Sequence, residues 1–174
     1  LVEMSKASTG NLTVNAEPCD VGVLLDQTLG EYGEKLSAAG LEPVLTKPEK
    51  PVIIMADGRH MWRIFDNLLN NICKYSQRGT RVYLEVCERD GKAVVTFRNI
   101  SSRQLNISSD ELMERFVRGD TSRGTEGSGL GLAIARSFTE AQGGKLSIEV
   151  DGDLFKVVIR LKCGTLQVEK EMEV

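Results

Sequence analysis

No stretch of this 174-residue chain is apolar for long enough to cross a bilayer. Its longest apolar runs, such as Pro51–Ala56, last only a few residues, where a spanning helix needs about 20. A secretory leader, with basic residues ahead of an apolar block, is missing too. Histidine occurs once, at His60, and the four cysteines (Cys19, Cys73, Cys87, Cys163) lie far apart without a CxxC pair. That spacing excludes a structural zinc site of the usual kind. Isolated cysteines in apolar helices and strands usually act as small core residues, and their scattered use fits a reducing, cytoplasmic setting. Basic residues form no stripe and the net charge is −3, so nothing favours nucleic acid or an anionic membrane as partner. Internal repeats and low-complexity tracts are absent as well.

What remains is ordinary globular composition, 41% hydrophobic and 27% charged, at a length suited to one domain. Such a domain buries roughly two-thirds of its unfolded surface. The chain begins at Leu1, which suggests a piece of a longer protein. Leu1–Ala7 has helical character and stops at Ser8-Thr9-Gly10-Asn11, and Leu12–Cys19 reads as an extended linker. Asp20 can cap a helix reaching about Gly40, with apolar positions at Val21, Leu24, Leu25, Leu29, Tyr32 and Leu36. Glu42–Thr46 and Val52–Ala56 read as strands about a Pro/Lys-rich turn. Along Asp57–Tyr75, Met61, Ile64, Phe65, Leu68 and Ile72 recur every three or four residues, which predicts a helix with one core face. Arg81–Glu88 and Ala93–Asn99 form a hairpin about Arg89-Asp90-Gly91. Ser109–Phe116 reads as a short helix, Gly119–Ser128 as a mobile loop, and Gly129–Gln142 as a helix ended by Gly143-Gly144. Lys145–Val150 and Leu154–Leu161 form a last hairpin, and Thr165–Val174 is a polar tail. Strands in antiparallel pairs argue for an α/β sandwich and against a doubly wound sheet.

Two segments carry chemistry. On the helix at 57–75, a turn of about 100° per residue places Asn67, Asn71 and Lys74 within roughly 60° of one another, away from the Leu68/Ile72 face. A face that needed only solubility would favour Glu, Lys or Arg, since Asn is a mediocre helix former. Carboxamide oxygens suit a hard cation such as Mg²⁺, and an ammonium suits phosphate. Taken alone, the stripe is also compatible with a solvated face. In Gly127-Ser128-Gly129-Leu130-Gly131-Leu132, alternate glycines let backbone approach a ligand closely, and the following helix offers free N–H groups to phosphate. The spacing is neither GxGxxG nor a P-loop, and on its own the loop reads equally as a hinge.

Together the two segments resemble the GHKL superfamily, the ATPase fold shared by sensor histidine kinases, type II topoisomerases, Hsp90 and MutL. Asn67-Leu-Leu-Asn-Asn71-Ile-Cys-Lys-Tyr75-Ser is similar to the N box, Glu114-Arg-Phe116-Val-Arg118-Gly-Asp to the F box of the kinase branch, and Gly127–Leu132 to the G2 box. The resemblance runs from about Asp20 to Leu161. It implies an α/β two-layer sandwich, with a mixed, mainly antiparallel sheet packed on about three helices and an ATP lid (the Bergerat fold). It also implies residues 1–17 as the end of a dimerisation helix and linker, 18–163 as the ATP-binding domain and 164–174 as a tail. By resemblance, Asn71 is the Mg²⁺ ligand assisted by Asn67, Lys74 contacts phosphate, and Tyr75 lies against adenine. Arg118 stabilises charge at the γ-phosphate, with Lys74 the second catalytic candidate. Gly127, Ser128, Gly129, Leu130, Gly131 and Leu132 line the triphosphate, and Phe116 packs the root of the lid.

ATP-hydrolysing members carry a Glu as general base where this chain has Asn67, which cannot accept a proton. That position points to the histidine-kinase branch, whose nucleophile is an imidazole supplied by another domain. The family's G1 box, DxGxG, corresponds here to Asn99-Ile-Ser-Ser-Arg103. Asn99 can still pair with adenine, accepting from N6 and donating to N1, at a loss of ~1 kcal/mol of charge assistance. His60 lacks the acidic neighbour of a phosphoacceptor and reads as an ordinary side chain. The acceptor is then expected on the parent's homodimeric helices, whose tail Leu1–Gly10 resembles. The phosphoryl group would pass on to a response regulator, and the parent would be membrane-bound. The alternatives are a degenerate GHKL scaffold with little catalysis and, disfavoured by Asn67, an ATPase with mechanical output.

Overall fold

The apolar spacing along residues 57–75 does produce one helix, and the other elements are arranged around it. The computed structural model describes residues 13–105, 111 and 130–164. In chain order the elements are β1 (Glu17–Asp20), α1 (Val21–Glu31), α2 (Gly33–Ala38), β2 (Glu42–Thr46), β3 (Ile53–Ala56) and α3 (Gly58–Tyr75). They continue with β4 (Arg81–Arg89), β5 (Lys92–Ile100), α4 (Leu130–Ala141), β6 (Lys145–Asp151) and β7 (Leu154–Lys162). Asp57 stands extended ahead of α3, and its carboxylate accepts the Arg59 N–H, satisfying one of the free donors of the first turn. Met61, Ile64, Phe65, Leu68 and Ile72 are buried as their spacing predicts, and Leu69 widens the stripe. The Phe65 ring meets Phe97 of the sheet, with centroids 5.8 Å apart.

Five strands form the main sheet in the order β2-β4-β5-β7-β6. β2 runs parallel to β4, and the other neighbours are antiparallel. This is the mixed, mainly antiparallel sheet of a two-layer sandwich. The turn between β4 and β5 places Asp90 and Gly91 at φ 52° and 74°, the left-handed pair that suits a two-residue hairpin. After α4, Gly143 takes φ 78°, and a Cβ on Gly144 would lie 2.7 Å from the Arg160 carbonyl oxygen. Only glycine lets the chain cross β7 that closely.

Three expectations need correction. The helix read from Asp20 to Gly40 is two helices. At Tyr32 (φ −93°, ψ 1°) the chain leaves helical geometry, with Gly30 and Gly33 on either side. The buried ring turns inward so that its hydroxyl donates to the Asp66 carbonyl and carboxylate of α3. The described residues therefore contain four helices. The linker read over Leu12–Cys19 contains β1, which pairs antiparallel with β3 from Glu17↔Ala56 to Asp20↔Ile53. Finally, β2 and β3 do not pair with each other: β2 joins the main sheet, and β3 stays in the two-stranded ribbon. The far edge of β3 is closed by residues just beyond β7. Gly164 N–H donates to the Ile53 carbonyl at 3.0 Å, Cys163 bridges to Ile54, and Cys163 N–H donates to the Gly91 carbonyl at 2.9 Å.

The four cysteines are unpaired, half-buried thiols. The short helix read at Ser109–Phe116 (Glu111 apart), the loop at Gly119–Ser128, and the segments Leu1–Gly10 and Thr165–Val174 lie outside the described residues. Among the described residues no helix is long and apolar enough to cross a membrane.

Candidate functional site

α3 and α4 lie side by side in opposite directions, and both candidate segments meet where the C-terminal half of α3 faces the start of α4. The Asn67 amide nitrogen donates to the Arg63 carbonyl at 2.7 Å. That bond ties the NH₂ back along the helix and leaves its oxygen facing outward. A Cβ built on Gly131 would sit 3.3 Å from Asn67 Oδ1 and 3.5 Å from Asn71 Oδ1. Two acceptor oxygens thus converge on the first turn of α4, whose opening N–H groups have no carbonyl within the helix. Any side chain at position 131 would intrude on this cradle. Lys74 is exposed one turn further along and has no ion pair among the described residues.

The C-terminus of α3 is laced to the end of β5. Ser102 N–H donates to the Tyr75 carbonyl at 2.8 Å, Gln77 N–H donates to the Ile100 carbonyl at 2.7 Å, and Ser76 bridges to Ser101. This brings Tyr75 beside Asn99, which is 5% exposed and donates through Nδ2 to the Ser76 hydroxyl at 2.8 Å. Burial pushes the Tyr75 phenol above its usual range, partly offset by the positive charge of Arg103. Asn67, Asn71, Lys74 and Tyr75 therefore share one end of α3 with Asn99 and the start of α4. Leu130 opens α4, and the side chain of Leu132 is packed in the core at 2% exposure, so only its backbone can serve a ligand. Arg118, Gly127, Ser128, Gly129 and Phe116 lie outside the described residues.

A second junction, not foreseen from the sequence, pins the opposite ends of the two helices. Asp57 N–H donates to Gln142 Oε1 at 2.8 Å, and Gln142 Nε2 donates to the Phe138 carbonyl at 3.2 Å. The Asp57 carboxylate accepts the N–H groups of Asn15 and Arg59, both at 3.0 Å, and lies 3.7 Å from His60 Nε2. Burial opposes the charged form of Asp57, but these donors and His60 outweigh it and hold its pKa below the ordinary value. The only sequence signal was an Asp placed before a helix; Gln142 resembles any polar residue near a helix end. His60 is half-buried, its ring 5.0 Å from that of Phe138, at the end of α3 away from Asn71.

Among the described residues no group of three His, Cys, Asp or Glu side chains could hold a metal ion. The donors available are carboxamide oxygens. They fit a magnesium ion that arrives with phosphate and keeps waters, and not an all-protein cage.

The model of the family described as histidine kinase-, DNA gyrase B-, and HSP90-like ATPase matches residues 56–165, more than half of the chain. The probable sensor protein PcoS of Escherichia coli is 34% identical over 161 residues, covering 91% of this chain and 34% of PcoS. The signal transduction histidine-protein kinase BaeS of Escherichia coli K12 is 29% identical over 148 residues, covering 84% of this chain and 32% of BaeS. The chain thus spans about a third of the length of these relatives. The structure of the mycobacterial sensor histidine kinase MprB superposes with a TM-score of 0.72 at 26% identity, covering 86% of this chain and 98% of that one. This chain belongs to the histidine kinase-, DNA gyrase B- and HSP90-like ATPase family.

Proposed function

We propose that this chain is the catalytic module of a sensor histidine kinase, holding Mg-ATP between α3 and the start of α4. It donates the γ-phosphoryl group to a histidine on a separate dimerisation domain. One observation carries the reading: Gly131 lies against the carboxamides of both Asn67 and Asn71, so a phosphate-binding helix start and a pair of hard oxygen donors form one cradle. Asn71, assisted by Asn67, would hold the magnesium ion, which supplies charge neutralisation on the phosphates. Lys74 contacts phosphate, the backbone of Gly127–Leu132 lines the triphosphate, and Tyr75 and Asn99 flank the base. Arg118 stabilises charge at the γ-phosphate during transfer.

Asn67 cannot take a proton, so position 67 offers water no general base, and the bound nucleotide is spared the hydrolysis that a Glu there would promote. A neutral imidazole attacks through the lone pair of its unprotonated nitrogen and needs no base there. The parent is read as a membrane-bound homodimer whose cytoplasmic part carries this domain and which passes the phosphoryl group on to a response regulator.

The test is transfer of radiolabel from ATP to a supplied dimerisation domain, with the isolated chain incorporating none itself. Asn71→Ala removes a ligand interaction worth about 1.5–3 kcal/mol. It should therefore weaken Mg-ATP binding by roughly 10–100-fold and abolish detectable transfer. A wild-type chain that neither binds Mg-ATP at millimolar concentration nor labels the acceptor would overturn the reading.

A further inference from the structure

We propose that the Asn99–Ser76 pair makes this site tolerant of the group at purine C6, so that it takes hypoxanthine and guanine nucleotides alongside adenine ones. The inference rests on the reading above, that Asn99 faces the base. Asn99 is buried, and its Nδ2 donates one hydrogen to the Ser76 hydroxyl at 2.8 Å. The second amide hydrogen and Oδ1 form a donor–acceptor edge for a ligand. In this orientation the edge matches adenine, accepting from the N6 amino group and donating to N1.

Guanine and hypoxanthine present the reverse pattern, an accepting O6 beside a donating N1–H. Rotating the Asn99 carboxamide by half a turn reverses its edge to match. The rotation puts Oδ1 next to Ser76, and a hydroxyl donates as readily as it accepts, so the buried amide keeps its partner in both orientations. No buried polar atom is stranded by the change, and stranding is what normally makes such a flip expensive. A carboxylate at position 99 would offer acceptors alone, so on either edge it would meet one donor, N6–H of adenine or N1–H of hypoxanthine, and oppose one acceptor.

Isothermal titration of the chain with Mg-ATP and Mg-ITP tests this. Inosine triphosphate presents the O6/N1–H edge without the 2-amino group of guanine, so the room at the pocket floor does not enter. The expected result is ATP and ITP dissociation constants within tenfold of each other, both weakened to a similar degree in Asn99→Leu, which has no polar edge for either base. A wild-type preference for ATP beyond tenfold overturns the inference while leaving the nucleotide site standing. Loss of ATP binding alone in Asn99→Leu does the same. Binding of neither nucleotide at millimolar concentration sinks the site itself, and the inference with it. If circular dichroism shows that Asn99→Leu does not fold, the wild-type ratio decides.

Discussion

Gly131 occupies a position where helix propensity and function ask for different residues. Within a helix alanine is favoured over glycine by up to about 1 kcal/mol, yet a Cβ here would press on Asn67 Oδ1 at 3.3 Å. Asn67 has little freedom to yield, because its amide is already bonded to the Arg63 carbonyl. Gly131→Ala is therefore expected to leave the urea midpoint unchanged or slightly lowered, despite the better helix former, while weakening Mg-ATP binding several-fold by titration. Asp57 makes a prediction of a different kind. Its pKa is lower in the folded chain than in the unfolded one. It therefore contributes stability that is present above the unfolded carboxylate range and is lost as pH falls through the folded value. Asp57→Asn should flatten the acid limb of the stability curve below about pH 4, measured by urea unfolding at successive pH values. An unchanged acid limb would show that the carboxylate is not the group responsible.

At the scale of elements, the helix pair α3/α4 is held at both ends, by the asparagine–glycine contact at one and by the Gln142–Asp57 bond at the other. Gln142→Ala removes the bond to the Asp57 N–H and is expected to lower stability by about 1 kcal/mol, read as a shifted urea midpoint at constant slope. Nucleotide affinity should fall with it, since the splay between the helices is set partly at this end. The sequence made these helices visible and left their far junction hidden. Periodicity exposes α3 because Met61, Ile64, Phe65, Leu68 and Ile72 repeat on one face. Turn residues expose the β4–β5 hairpin because Asp90-Gly91 tolerates positive φ. A four-residue strand such as β1 repeats too little to announce itself, and its pairing with β3 depends on a partner more than thirty residues away. The break at Tyr32 was equally hidden, since the tyrosine sits in phase with the apolar positions of a longer helix. Gly30 and Gly33 weaken the helix on either side of the break, and the Tyr32 hydroxyl contact with Asp66 fixes it there. The candidate site was legible through residue types that serve no core, Asn67, Asn71 and Gly131. Ser76, which backs Asn99, looked like an ordinary helix-end residue.

For the whole molecule, ligand binding should register as global stability, because the cradle draws on both helices and on the end of the sheet. Mg-ATP at 100 times its dissociation constant is expected to stabilise the fold by about 2.7 kcal/mol, a rise in melting temperature of roughly 5–10 °C for a domain of this size. Chelating the magnesium should remove much of that rise in a thermal-shift measurement. The closure of β3 by Cys163 and Gly164 bears on a different moment, the birth of the protein. Ile53 leaves the ribosome more than a hundred residues before Gly164, and at about 5–20 residues per second that interval lasts roughly 5–20 s. Throughout it the outer edge of β3 has no partner of its own, and the nascent chain carries an open strand that chaperones can hold. Closure of this edge therefore waits for the residues just beyond β7.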